Sequence, residues 1–156
     1  MEENPNEAKV QEDGCKKLYN LCATSKNSRK SIREFRGIDV IVNAMKTHAD
    51  NSEVQRLALL ALQSLAIYRD NQNAIAKANG IETIINTMEK HYKDSSVLEE
   101  SCATIVNLSV DNDRNKKKIS NAGGIITIIN AMRYHTAAER VQEEGCRALW
   151  TLAYKD

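Results

Sequence analysis

Apolar residues recur along this chain with the spacing of amphipathic helices. Three segments begin with glycine. Within each of them, isoleucine, valine and methionine side chains fall at i, i+3, i+4 and i+7, which is one face of an α-helix. These segments begin at Gly37, Gly80 and Gly124. Four longer segments place apolar or small residues at positions 0, +4, +8 and +11, again on one helical face. They begin at Val10, Val54, Val97 and Val141.

Both kinds of segment repeat with one period. The valine-led segments start 44, 43 and 44 residues apart, and the glycine-led segments start 43 and 44 residues apart. A short apolar pair, such as Ile32 with Phe35, precedes each glycine. The pattern predicts repeats of a short helix, a turn, a second helix and a longer third helix. We expect each glycine to supply the left-handed backbone conformation that ends the short helix.

Polar residues mark the predicted start of each long helix. Three pairs have the spacing of a capping box: Ser52 with Gln55, Ser96 with Glu99, and Thr136 with Glu139. For the first long helix, Asn4 is the predicted N-cap, with Pro5 and Glu7 in the first turn.

The repeat resembles the armadillo repeat. The segments LYNLCA, IVNLSV and LWTLAY are similar to the third-helix signature of that family, and NAGGIITIINAM is similar to its turn and second helix. The early second-helix proline of many members is absent. The histidine that ends each second helix is more similar to the armadillo arrays of leucine-rich-repeat kinases and protist proteins than to importins or catenins. The resemblance implies an all-α fold, namely a right-handed α-solenoid of armadillo-type three-helix repeats.

The repeats predict a single armadillo-repeat domain over residues 1–156. We expect a leading third helix at 4–25 and repeats at 26–68, 69–111 and 112–156. The array is short, or it is a piece of a longer solenoid.

Composition and charge exclude several classes of protein. Hydrophobic residues make up 42% and charged residues 28%, which is typical of a globular chain. The net charge of +1 predicts no general attraction to nucleic acid or to a membrane surface. The longest uncharged apolar stretch, 57–68, is shorter than the roughly 18–20 residues of a membrane helix. The polar, acidic N-terminus does not have the pattern of a signal peptide.

The sequence predicts no enzyme, no cofactor and no metal site. It contains no phosphate loop, dinucleotide fingerprint, GxSxG or HExxH motif. The recurring His48, His91 and His135 lie one repeat apart, about 10 Å, so they cannot share a metal. We expect them instead at helix C-termini, where a histidine interacts favourably with the negative end of the helix dipole.

The four cysteines are predicted to be reduced. Cys15, Cys102 and Cys146 occupy one column of the repeat, and Cys22 lies seven residues beyond Cys15. Each spacing corresponds to about 10 Å, which exceeds the Cα separation of a disulfide, about 7 Å. Reduced thiols indicate an intracellular setting, which we take as cytoplasmic, with the nucleus as the alternative.

The resemblance implies that the third helices line a concave groove, along which a non-catalytic scaffold would bind a partner peptide or helix. Two exposed positions per third helix should face it, with Arg56 beside them. These candidate groove residues are Lys16, Asn20, Leu60, Ser64, Ala103, Asn107, Arg147 and Thr151. Asn20 and Asn107 match the asparagine with which the family holds an extended peptide. The same amides could instead hold neighbouring backbone, and both interpretations stay open.

The groove composition suggests the chemistry of a partner. The tryptophan ladder with which importins hold basic peptides is absent. The predicted floor is apolar at its middle, and acids such as Glu99, Glu100 and Glu143 line one side. We expect a partner segment with apolar anchors flanked by basic residues.

Basic clusters on the short helices offer an alternative function, the binding of nucleic acid or an acidic phosphate along an outer edge. One cluster is Lys26, Arg29, Lys30, Arg33 and Arg36; the other is Arg114, Lys116, Lys117 and Lys118. No aromatic residues interleave the second cluster, which argues against single-strand binding. Apolar residues of the terminal helices, including Trp150, also predict self-association through the solenoid ends.

Overall fold

The described part of this computed structural model, residues 1–154, forms ten helices and no strand. The helices are α1 (Ala8–Thr24), α2 (Lys26–Glu34), α3 (Gly37–Thr47), α4 (Ser52–Leu65), α5 (Arg69–Lys77), α6 (Gly80–Lys90), α7 (Ser95–Ser109), α8 (Asp113–Asn121), α9 (Gly124–Tyr134) and α10 (Glu139–Ala153). After α1, the order of short, second and third helix occurs three times, which confirms the all-α repeat architecture.

The third helices α1, α4, α7 and α10 pack side by side, each against the next. The second helices α3, α6 and α9 pack against the third helices that follow them and against one another. Side chains between these two rows form one continuous core, in which Leu59, Leu62 and Ile105 are almost fully buried. The chain is therefore an α-solenoid, since each repeat buries its apolar faces against its neighbours.

The turn between the short and second helices corrects the prediction for the glycines. The left-handed residue is the one before the predicted glycine, with φ of 60° at Arg36, 62° at Asn79 and 85° at Gly123. The next residue opens the second helix in close contact with the short one. A Cβ on Gly80 would lie 2.6 Å from Cγ2 of Ile75. Close approach of two helices, rather than backbone conformation, requires this glycine.

The predicted helix caps are wrong. The side chain of Asn51 accepts a hydrogen bond from the Val54 N–H at 3.0 Å, and Asp94 caps α7 in the same way. Helix α10 follows Ala138 and α1 follows Glu7, neither of which makes a side-chain cap. The capping boxes of Ser52 and Ser96 are thus replaced, whereas α10 and α1 begin without the side-chain caps predicted at Thr136 and Asn4. Asn and Asp cap a helix at least as well as Ser, so Asn51 and Asp94 take the N-cap positions instead of the nearby serines.

Histidines join consecutive repeats. Each is the C-cap residue of a second helix, as predicted, and its Nε2 meets a backbone carbonyl oxygen about one repeat earlier. The contacts are His48 to Pro5 at 2.7 Å, His91 to Ala49 at 2.8 Å and His135 to Tyr92 at 2.8 Å.

Glutamines fix the third helices to the second helices. Gln55 Nε2 donates to the carbonyl oxygens of Met45 at 2.8 Å and His48 at 2.9 Å, and Gln142 makes the matching pair of bonds in the last repeat. In the first copy, Gln11 donates to Met1 and Asn4. Residues 1–4 therefore take the place that the end of a second helix holds in the later repeats.

Candidate functional site

The candidate groove residues lie on consecutive third helices but differ in accessibility. Three are exposed: Lys16, Asn20 and Arg147. Four are half-buried: Arg56, Leu60, Ser64 and Asn107. The remaining two, Ala103 and Thr151, are only 6% exposed. They contribute to the floor of this face but offer a partner little surface.

Helical angles alone did not reveal this burial. Ala103 is too short to rise above its larger neighbours. The Thr151 hydroxyl donates to the Arg147 carbonyl oxygen of its own helix at 2.7 Å, so its hydrogen bond is already made.

The two asparagines play different parts. Asn107 Nδ2 donates to the carbonyl oxygen of Gln63 on the preceding third helix at 3.0 Å, which joins α7 to α4. Its own backbone carbonyl accepts a bond from Gln72 at 2.8 Å. Asn20 is exposed on α1 and, within residues 1–154, makes no such bond to a neighbouring helix. The geometry favours the structural interpretation for Asn107, whereas Asn20 presents its amide to solvent.

Most cations of this face are paired with acids of their own surface. Arg56 donates two bonds to Glu53 at 2.9 and 2.8 Å, and Arg147 donates to both carboxylate oxygens of Glu144 at 2.7 and 2.8 Å. The bond from Arg56 lowers the pKa of the Glu53 carboxyl. A third group joins repeats, because Arg140 contacts Glu99 at 3.0 Å and Glu143 at 2.8 Å.

Glu100 has no such partner in the part of the chain that the structure describes. It is half-buried, and burial raises the pKa of its carboxyl, with a further increase from nearby Glu99. An opposite charge at this position would relieve the cost of the partly desolvated carboxylate. Most acids on the side that the sequence predicts to be acidic are therefore paired with neighbouring arginines, and Glu100 is the unpaired one among them.

An exposed apolar row follows the C-terminal ends of the third helices, and the candidate residues did not include it. Ile67, Val110 and Tyr154 are 57%, 44% and 54% exposed, and all three stand at position +13 from the leading valine. The Trp150 ring lies 5.3 Å from that of Tyr154 and extends the row. Recurrence of large apolar residues at one exposed position was the available signal.

The cysteines do not form a reactive group. All four are free, and Cys15, Cys22 and Cys102 are buried, whereas Cys146 is exposed. Burial raises the pKa of Cys15 and Cys102 to about 12 and that of Cys22 to about 11, which suppresses their thiolates. Within residues 1–154, no group of three or more histidine, cysteine or acidic side chains is arranged to hold a metal. Over the same range, no helix has both the length and the apolar character to cross a bilayer.

The two basic clusters differ. In the second, Lys116 is buried and donates to the Tyr154 carbonyl oxygen at 2.9 Å, and Lys118 pairs with Glu82 at 3.2 Å. Two members of this cluster therefore serve packing, and Arg114 and Lys117 remain exposed. The first cluster faces a cavity between α2 and α5, lined by Lys26, Lys30, Arg33, Tyr68, Arg69, Asp70 and Asn71.

Comparison with known proteins places the chain in a described family. The family model for "Protein zer-1 homolog-like, C-terminal domain" matches residues 1–154. No curated protein matches the chain.

Solved structures with the same fold include two engineered proteins studied by crystallography in the Northeast Structural Genomics Consortium. Both have a TM-score of 0.84, at 26% and 25% sequence identity. They cover 94% and 96% of this chain, and this chain spans 57% and 35% of their lengths. The solenoid fold is therefore shared with longer proteins.

Proposed function

This chain belongs to the family of zer-1 homolog-like C-terminal domains, and from that premise we propose that it is a non-catalytic scaffold that binds a protein partner on the face of its third helices. We assign its repeats to the armadillo type and keep the division at 4–25, 26–68, 69–111 and 112–156. The more specific assignment to arrays of leucine-rich-repeat kinases stays a prediction. We place the protein in the cytoplasm, with the nucleus as the alternative.

The exposed apolar row carries this proposal. Ile67, Val110, Trp150 and Tyr154 are all large apolar side chains with more than two-fifths of their surface in solvent. Large apolar side chains that recur in solvent at one edge of a folded domain indicate an interaction site. The neighbouring charges are largely paired, so a partner can cover this face without desolvating many isolated ions.

The unpaired Glu100 adds to the expected chemistry of the partner. A segment with apolar anchors for the row and a basic residue near Glu100 fits both features. The half-buried Leu60 supplies a further apolar contact on α4. Exposed Lys16 and Arg147 lie toward the two ends of the face and reduce the preference for cationic segments there.

Affinity capture with quantitative mass spectrometry tests the proposal. We expect partners retained by the wild-type chain to be lost with Ile67→Glu combined with Val110→Glu, because both changes place charge in the row. A control, Ile126→Glu with Phe35→Glu, alters two exposed apolar residues outside the row, 54% and 84% in solvent, and should retain the partners. Identical capture by all three proteins would rule out the row as the binding surface.

We also propose self-association through the outward face of α10. Cys146 and Ala153 are exposed there, whereas Cys102 and Ser109, at the matching positions of α7, are fully buried in the stack. A second copy of the chain would cover this face.

Light scattering over a concentration series tests self-association, with Cys146→Glu as the comparison because Cys146 is exposed on this face. We expect the apparent mass of the wild type to rise with concentration and that of the variant to stay constant. A wild-type mass fixed at that of one chain up to high micromolar concentration would contradict the proposal.

A further inference from the structure

A stripe of cations runs along one side of α2. Its members stand at i, i+3, i+4 and i+7, which places them on one helical face: Lys26, Arg29, Lys30 and Arg33. Opposite this face lies the start of α5. Side chains from both helices line a cavity of about 270 Å³, which we call the α2/α5 cavity. Its cations are Lys26, Lys30, Arg33 and Arg69, and Arg29 lies beside it against the Tyr68 ring.

The charges around this cavity are not balanced. Arg33 pairs with Asp70 at 3.1 Å, and Lys30 pairs with Glu34 at 3.6 Å. The other three cations have no carboxylate partner among the residues that the structure describes: Lys26, Arg29 and Arg69. Five cations thus stand against two carboxylates, an excess of three in a chain whose net charge is +1.

Two of these three cations are held beside an aromatic ring, whereas Arg69 donates to the backbone carbonyl oxygen of Asp111. The Lys26 Nζ lies 5.3 Å and the Arg29 Cζ lies 5.7 Å from the centroid of the Tyr68 ring. The Arg29 Nε is buried and has no hydrogen-bond partner within residues 1–154. An exposed cation–π contact is weaker than a charge-assisted hydrogen bond. An anion would therefore bind these groups more strongly than the ring does.

The solenoid does not require all of these cations. One repeat later, between α5 and α8, neutral amides stand at the positions of Arg29 and Lys30, as Gln72 and Asn73. Gln72 Nε2 donates to the Asn107 carbonyl oxygen at 2.8 Å, and Asn112 Nδ2 donates to Gln72 Oε1 at 2.8 Å. Packing at the Arg29 position is thus satisfied by an uncharged side chain, while Arg69, which matches Lys26, donates to the Asp111 carbonyl oxygen.

We propose that the α2/α5 cavity binds a phosphate group carried by a phosphorylated side chain of a protein partner. A phosphate monoester carries a charge of about −1.5 to −2 at pH 7, which offsets most of the local excess. The cavity is slightly smaller than the roughly 300 Å³ at which pockets for drug-sized ligands begin, so it suits one group. Nucleic acid is disfavoured because a phosphate backbone needs a continuous ridge, and Lys116 and Lys118 of the other cluster are engaged in packing.

Titration followed by backbone amide NMR shifts tests this site. The probes are inorganic phosphate, a phosphoserine peptide, its unphosphorylated match and a single-stranded DNA 12-mer. We expect saturable shifts at residues 26–33 and 68–71 with the phosphopeptide and with phosphate, and none with the unphosphorylated peptide. Lys26→Gln with Lys30→Gln should raise the Kd of the phosphopeptide at least about tenfold, since two charged contacts are lost.

Arg114→Gln with Lys117→Gln is the matched control, since it removes the same charge from exposed residues of α8 and should leave the Kd within twofold. The proposal is overturned by equal loss in both variants, by equal binding of the two peptides, by no binding of the phosphopeptide, or by tighter binding of the DNA. The substituted lysines are exposed, and thermal unfolding verifies that both variants fold. The third-helix face is untouched, so these outcomes do not depend on the scaffold proposal.

Discussion

The imidazole of His91 reaches back one repeat to Ala49, with 2.8 Å between its Nε2 and the carbonyl oxygen of that residue. A carbonyl oxygen only accepts, so the histidine nitrogen carries the proton and donates. Ala49 lies between α3 and α4, and the bond therefore ties the end of α6 to the preceding repeat. Inter-repeat contacts of this kind determine how cooperatively a solenoid unfolds.

Replacing His91 with alanine should weaken this connection. We expect the free energy of unfolding to fall by about 0.5–1.5 kcal/mol, the net contribution of one hydrogen bond. Urea denaturation followed by circular dichroism measures the change. His135→Ala, which removes a more exposed bond of the same geometry, should cost less. Stability equal to that of the wild type in His91→Ala would mean that water replaces the imidazole at no cost.

Gln55 is the most constrained polar side chain of the core. It is fully buried, its Nε2 bonds two carbonyl oxygens, and its Oε1 accepts from the Thr87 hydroxyl at 2.9 Å. Gln55→Glu should destabilise the chain by about 3 kcal/mol or more, because it places a carboxylate against two carbonyl oxygens. Gln55→Leu should cost roughly 1–3 kcal/mol, since it leaves those oxygens unsatisfied.

The same position in α7 carries Leu98, which is also fully buried. The fold therefore accommodates leucine at this position. The difference in stability between the two Gln55 variants is then expected to follow from the polarity of the side chain rather than from its size. Chemical denaturation of both variants measures the ranking. A glutamate variant as stable as the leucine variant would show that water enters this part of the core.

Two substitutions in the turn before the second helix should change the stability of the chain in opposite directions. Gly80→Ala should destabilise the chain by more than about 1 kcal/mol, because the new Cβ would lie 2.9 Å from the Ile75 carbonyl oxygen. Arg36→Gly should stabilise it by about 1 kcal/mol, because Arg36 holds a φ of 60° and loses only an exposed ion pair with Asp39. Differential scanning calorimetry of the two variants measures both effects. A stabilising Gly80→Ala would contradict the packing argument.

The sequence predicted the helices but not the contacts between them. Periodicity located every third helix because burial of one face leaves a regular pattern, as at Leu62 and Ile105. The roles of Arg36 and Gly37 in the turn could not be assigned, since a positive φ at arginine is uncommon and glycine serves two purposes. Bonds such as Asn107 to Gln63 depend on the separation of two helices, which one helical wheel does not contain.

The candidate site was predicted only in outline. The wheel placed Asn20 and Arg147 on the exposed face correctly, whereas Ala103 and Thr151 are buried because accessibility depends on neighbouring side chains. Ile67 and Val110 were overlooked, since exposed apolar residues look like core residues when only hydrophobicity is read.

Burial of three of the four thiols leads to a prediction on their reactivity. Iodoacetamide attacks the thiolate, and at pH 8 a group with a pKa of about 12 is ionised in roughly one molecule in ten thousand. Native protein should therefore be alkylated once, at the exposed Cys146, and denatured protein four times. Mass spectrometry of intact protein counts the additions. Cys146→Ser should give none in the native state, and early modification of Cys15 or Cys102 would show local opening of α1 or α7.

The same raised pKa values make stability depend on pH. Burial favours the neutral thiols of Cys15 and Cys102, whose pKa moves from an ordinary 9.0 to about 12 on folding. Their contribution is fully present below pH 9 and is lost as the pH rises toward 12. Each thiol should lower the free energy of unfolding by up to roughly 1.4 kcal/mol per pH unit in that window. Urea midpoints at pH 8.5 and 10 measure this slope, and Cys15→Ala with Cys102→Ala should flatten it. An unchanged slope in the double variant would mean that other groups cause the loss of stability at alkaline pH.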